Sequence, residues 1–128
     1  MNKKVICDTG IISRYLLNEK AIFEFVETNI GFSNILITAI NKIELRNWLS
    51  NYKQLTKSER ASTLKAIHSF PVIHINEPIS KLAIAISDKN INAKPADIFI
   101  GATSIYHNIP IYTLNIKDFK IIKAPLYL

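Results

Sequence analysis

From residue 98 to residue 116 the chain carries no Asp, Glu, Lys or Arg, and acids fence the run: Asp97 stands just before it and Asp118 just after. A stretch this apolar has to be buried. Its length invites a membrane span, but Gly101, His107, Asn108 and Pro110 divide it, which fits a core helix followed by a strand instead. Pro95 suits a first helical turn, where its missing N–H is no loss. Asp97 then falls in that turn, where the helix dipole favours negative charge. Ile98, Phe99, Ile100, Ala102, Ile105 and Tyr106 cover most of the circumference, so the helix is expected to be enclosed. Asn108 and Pro110 end it. Ile111, Tyr112, Thr113 and Leu114 read as a strand, and residues 115–118 as the loop that leaves it.

The rest of the chain alternates in the same manner. Residues 4–8 form a short apolar run with Asp8 at its carboxyl end, and Thr9 and Gly10 make the exit. Helical spacing follows in Ile11, Ile12, Tyr15 and Leu16, then in Ile22, Phe23, Phe25 and Val26. Gly31 marks a turn and residues 35–37 a second buried strand. Thr38 reads as the cap of an amphipathic helix that carries Glu44 in its second turn. A more polar helix at residues 57–69 is the candidate for a protruding hairpin. Residues 71–75 read as a third strand with His74 inside it, Pro78 opens another helix, and residues 125–128 suggest a final edge strand. Alternating strands and helices predict an α/β fold: a mostly parallel twisted sheet of about four to five strands with helices on both faces. A chain of 128 residues suits one domain over residues 1–128.

Composition narrows the classes. At 48% hydrophobic residues the chain is not disordered. Cys7 is the only cysteine, which excludes an internal disulfide and a cysteine-rich zinc site and suits a reducing cytoplasm. The start, with its basic pair and no long apolar run, does not read as a signal peptide, and no membrane association is expected. The formal charge of +6 fits either plain solubility or attraction to a polyanion.

Ligand sites in open α/β sheets lie beyond the carboxyl ends of the strands. Asp8 follows the first strand, Glu44 sits on the helix after the second, Asp97 opens the helix before the last, and Asp118 follows that strand. Gathered together, such carboxylates repel one another and raise each other's pKa. A hard divalent cation such as Mg²⁺ or Mn²⁺ relieves this. It can also polarise a phosphoryl oxygen and activate water. With a basic surround, the matching substrate is a phosphodiester chain. Each acid also has an ordinary reading: a first-turn helix acid for Asp97, a cap or turn residue for Asp8, a surface helix acid for Glu44, a loop ion pair for Asp118. His68, His74 and His107 lack metal-ligand spacing, Cys7 has no activating base, and no Gly-rich phosphate loop exists.

Asp8-Thr9 after a first strand, Glu44 after a second, the run Pro95-Ala96-Asp97-Ile98-Phe99-Ile100-Gly101-Ala102-Thr103 and the run Thr113-Leu114-Asn115-Ile116-Lys117-Asp118-Phe119 together resemble a PIN domain. The closest type is the VapC toxin of bacterial toxin–antitoxin pairs. The resemblance implies a Mg²⁺- or Mn²⁺-dependent endoribonuclease, usually a homodimer, restrained by a cognate antitoxin. It implies Asp8, Glu44 and Asp97 as metal ligands. The family's fourth acid falls at Asn115 or Asp118, and only Asp118 is charged here. Thr9, Thr113 and Asn115 are candidates to orient ligands or water, although turn hydrogen bonding accounts for them equally. Arg14, Lys42 and Arg46 are candidate RNA contacts. Gly101 stands where a neighbouring element can approach closely.

A phosphorylation receiver would want a paired acid at the first strand, but Asp8 stands alone. A haloacid-dehalogenase-type phosphatase would want a second Asp where Gly10 sits. The alternative from another class is a catalytically inactive PIN-like module that binds RNA or protein, a reading that Asn115 keeps open.

Overall fold

The computed structural model describes residues 3–127; Met1 and Asn2 of the basic start and Leu128 of the expected edge strand lie outside them. The chain runs β1 (Val5–Cys7), α1 (Thr9–Leu16), α2 (Lys20–Phe25), a π-helical turn (Val26–Ile30) and a 3₁₀ turn (Phe32–Asn34). It continues through β2 (Ile35–Thr38), α3 (Ala39–Asn51), α4 (Lys57–Ser69), β3 (Val72–Ile73), α5 (Glu77–Lys89), α6 (Pro95–His107), β4 (Ile111–Tyr112) and α7 (Ile116–Ile121). The four strands form one sheet in the order β3-β2-β1-β4. Every pairing is parallel, with Val5 opposite Ile35, Ile6 opposite Ile111 and Ile37 opposite Val72.

Alternation along these short strands divides the core. Val5, Cys7, Ile35 and Ile37 pack with Ile11, Ile12, Leu45, Leu49 and Ile67 on one face. Ile6 and Ile111 pack with Ile100, Phe119 and Ile122 on the other. Both faces are covered, as a parallel sheet requires. The expected α/β architecture therefore stands, with four strands. The tail adds a single parallel bridge between Ile111 and Leu126 rather than a strand.

Other expectations change too, and β4 stops at Tyr112, short of Thr113 and Leu114. The segment at 115–118 is not a loop: Phe119 and Ile122 are buried at helical spacing, and their burial closes α7 around Asp118. The third strand is two residues long at the sheet edge, so His74 lies past it and is exposed. The polar helix α4 does not stand clear of the body. Ile67 and Phe70 are buried in the core, and the Arg60 guanidinium donates to the carbonyls of Leu49 and Tyr52 at the end of α3. Among the described residues no helix is long and apolar enough to cross a membrane.

Candidate functional site

β1 has β2 on one side and β4 on the other, so the chain order reverses between β1 and β4. That reversal opens a crevice at the carboxyl ends of the two strands. The last rung of the ladder is Asp8 N–H donating to the Tyr112 carbonyl at 2.9 Å. Beyond it both chains turn away, and their next side chains, Asp8 and Thr113, meet.

Asp8 is 6% exposed and caps α1. Its Oδ1 accepts from the Thr9 N–H at 2.9 Å and from Asn41 Nδ2 at 3.2 Å. Its Oδ2 accepts from the Thr113 hydroxyl at 2.8 Å. A buried carboxylate needs such partners. The Thr9 hydroxyl in turn donates to Glu44 Oε1 at 2.6 Å and accepts from Asn41 Nδ2 at 3.2 Å. Thr113 Oγ1 also accepts the Asn115 N–H at 2.9 Å, which ties the start of α7 to the same network. The Asn115 side chain itself is exposed.

Asn41 is the residue that sequence reasoning missed. It is fully buried. Its Oδ1 accepts from the Thr38 N–H at 3.0 Å and hydroxyl at 2.8 Å, while its own N–H donates to Thr38 Oγ1 at 3.2 Å. The result is a capping box in which Asn takes the place more often filled by Glu or Gln. That exchange frees an amide to donate to Asp8. The signal was present: Asn41 lies three residues after the cap Thr38 and three before Glu44, one turn along the same helical face.

Asp97 sits in the first turn of α6, as expected, and is half-buried. Burial raises its pKa above the ordinary 3.8; Asp8 and Asp118 raise it further, Lys94 offsets part of the rise, and Glu44 adds to it. All three other candidate acids are thus near enough to be felt by Asp97. Asp97 and Asp118 share the wall of one cavity. Among the described residues, however, no group of three or more His, Cys, Asp or Glu side chains is gathered closely enough to hold a metal ion by itself. The available donors are all oxygens. That set fits a hard cation such as Mg²⁺, which keeps several of its own waters and takes few protein ligands.

Of the candidate backbone contacts, Arg14 is exposed, pairs with Glu19 at 3.3 Å and reaches back to the Gly10 carbonyl at 3.1 Å. Lys42 is half-buried and Arg46 exposed on α3, and neither takes part in an ion pair among the described residues. Cys7 is buried, with its thiol pushed up to about 12 by burial and by Asp8, so it is a core residue and no nucleophile.

No curated protein matched the chain in a sequence comparison. Among solved structures, FitAcB from Neisseria gonorrhoeae is similar with a TM-score of 0.78 at 18% identity, over 97% of this chain and 96% of that one. A toxin–antitoxin complex from Klebsiella pneumoniae gives 0.76 at 22% identity over 97% of each chain. DNA-bound VapBC from Salmonella typhimurium gives 0.76 at 19% identity, over 97% of this chain and 96% of that one. At such identities the likeness is one of fold. A family model described as the PIN domain matches residues 5–124, from the first residue of β1 to beyond α7, and the chain therefore belongs to the PIN domain family.

Proposed function

We propose that the chain is a Mg²⁺- or Mn²⁺-dependent endoribonuclease, and the toxin of a type II toxin–antitoxin pair. The observation that carries this reading is Asp97. It is an acid at the mouth of an enclosed helix, its ionised form disfavoured by burial and by three further acids drawn from distant parts of the chain. A structural role would gain nothing from that repulsion, whereas a divalent cation removes it.

In this reading Asp8, Glu44, Asp97 and Asp118 are the residues that would hold the cation. Bound there, it supplies Lewis-acid activation of water and of the phosphoryl group. The chain's own contribution is orientation. Asn41, Thr113 and the Thr9 N–H fix the Asp8 carboxylate, and the Thr9 hydroxyl fixes Glu44. Arg14, Lys42 and Arg46 hold the RNA backbone beside the site. Support for the toxin role comes from the likeness in fold to the Klebsiella toxin–antitoxin complex and Salmonella VapBC; a cognate antitoxin and a homodimer belong to the same reading.

One observation favours a second reading, a PIN module that binds without cutting: both oxygens of Asp8 are already hydrogen-bonded. Titration with Mn²⁺ alongside RNA cleavage separates the two. The nuclease binds Mn²⁺ and cuts RNA, and Asp8→Asn and Asp97→Asn each lose both while circular dichroism shows the fold retained. Undiminished cleavage by Asp97→Asn would sink the nuclease reading.

A further inference from the structure

The geometry points to the turn between α5 and α6 as a pocket for one unpaired base of a single-stranded RNA, next to the phosphate at the acid site. This rests on the nuclease reading. A cavity of about 420 Å³ lies there, within the range of small-ligand sites. Asp97 and Asp118 form part of its wall, so it opens onto the acids. The remainder of its wall has different chemistry.

Ile91 stands at the tip of the turn and is 89% exposed; Ile121, also in the wall, is 59% exposed. Two isoleucines on a polar rim gain nothing from water. A flat heterocycle laid against them would cover apolar area that otherwise faces water. Asn90 and Asn92 supply the polar edge. The Asn90 amide donates to the Ile86 carbonyl at 2.9 Å, which fixes that side chain and leaves its Oδ1 to accept. The Asn92 amide offers a donor and an acceptor, the pair needed to read the edge of an unpaired base. The backbone of the turn is held by Ala93 N–H donating to the Asn90 carbonyl at 2.9 Å. Lys89 and Lys94 flank the cavity, and neither enters an ion pair among the described residues. Two lysines beside an apolar slot suit a nucleotide's phosphate and base together.

The test uses the full chain, Ile91→Ser and Asn92→Ala, with Mn²⁺ and a random-sequence single-stranded RNA pool whose cut ends are sequenced. The unmodified protein is expected to favour one base at a fixed position beside the cut. Asn92→Ala relaxes that preference, and Ile91→Ser raises KM about fivefold with kcat within about twofold. Both positions are exposed, and circular dichroism checks their fold. If the unmodified protein cuts but both variants keep its base profile and KM, the pocket assignment falls while the nuclease reading stands. If the variants alter only binding of a co-expressed antitoxin, the turn belongs to a protein partner and the assignment falls. If the unmodified protein cuts none of the pool, the nuclease reading falls and takes the pocket with it.

Discussion

Asp8 carries three duties on one side chain: it ends β1, caps α1 and anchors the polar network that reaches Glu44 and Thr113. It can do so because Asn41, Thr9 and Thr113 satisfy its buried carboxylate. Removing the centre of that network is costly, since partners left unpaired in the interior lose their hydrogen bonds outright. Asn41→Ala should destabilise the protein by about 2–3 kcal/mol in urea denaturation, well above the effect of a surface Asn→Ala change. Asp97 behaves in the opposite sense. Its folded pKa is raised above the unfolded value, so the ionised carboxylate weakens the fold at neutral pH when no cation is bound. That penalty lifts as pH falls through the raised pKa and is gone below the ordinary 3.8. In EDTA, Asp97→Asn should therefore melt at a higher temperature than the unmodified protein at pH 7, with the gap closing as pH approaches 4. An equal gap at all pH values would contradict the shift. At this scale the position of Asp8 at a strand end and of Asp97 in a first helical turn was legible. Asn41 was marked only by its spacing from Thr38 and Glu44, because an asparagine within a helix carries no sign of its burial.

The element that organises the molecule is α6. Ile98, Ile100, Gly101, Ala102, Thr103 and Ser104 are buried, which matches a segment with no charge after its first turn. Gly101 is where α6 meets the chain after α7. A Cβ there would collide with Ile122 Cδ1 and lie 3.3 Å from its Cγ1. Alanine would gain about 1 kcal/mol in helix propensity, but overpacking a closed core costs about 1–3 kcal/mol. The expected net effect of Gly101→Ala is a loss of about 1 kcal/mol, and Ile122→Val in the same chain should recover it by removing the offending Cδ1. A stabilising Gly101→Ala would mean Ile122 can move aside freely. The long helices were read from the sequence more accurately than the short strands. Helices α3, α5 and α6 bury residues over several turns, whereas β3 and β4 are two residues long and owe their ends to neighbours. Thr113 left its strand because Asp8 was there to accept its hydroxyl. The segment after it became α7 because Phe119 and Ile122 found a core to enter.

At the scale of the whole molecule, four of the ten acids border the crevice, so the rest of the chain sets 16 Lys and Arg against the other six. The formal +6 therefore understates the basic character of the chain outside the crevice. Such a field should draw a polyanion and weaken with screening. Binding of single-stranded RNA, followed by fluorescence anisotropy in NaCl from 50 to 300 mM (about the range over which phosphate contacts are displaced), should fall linearly on a log–log plot. A flat profile would remove the basic surround from the account.

Periodicity and charge along the chain were enough to determine the class of fold and the enclosed helix, with Asp8 at a strand end and Asp97 in a first helical turn, because burial stripes and end positions are local properties. Only the folded arrangement decided that β1 lies between β2 and β4, which is what brings residues 8, 44, 97 and 118 to one crevice. The same arrangement recruited Asn41 and Thr113 to hold Asp8 and turned the last loop into a helix. Those outcomes depend on hydrogen bonds and packing between residues as many as 105 positions apart, and no window of sequence contains both partners.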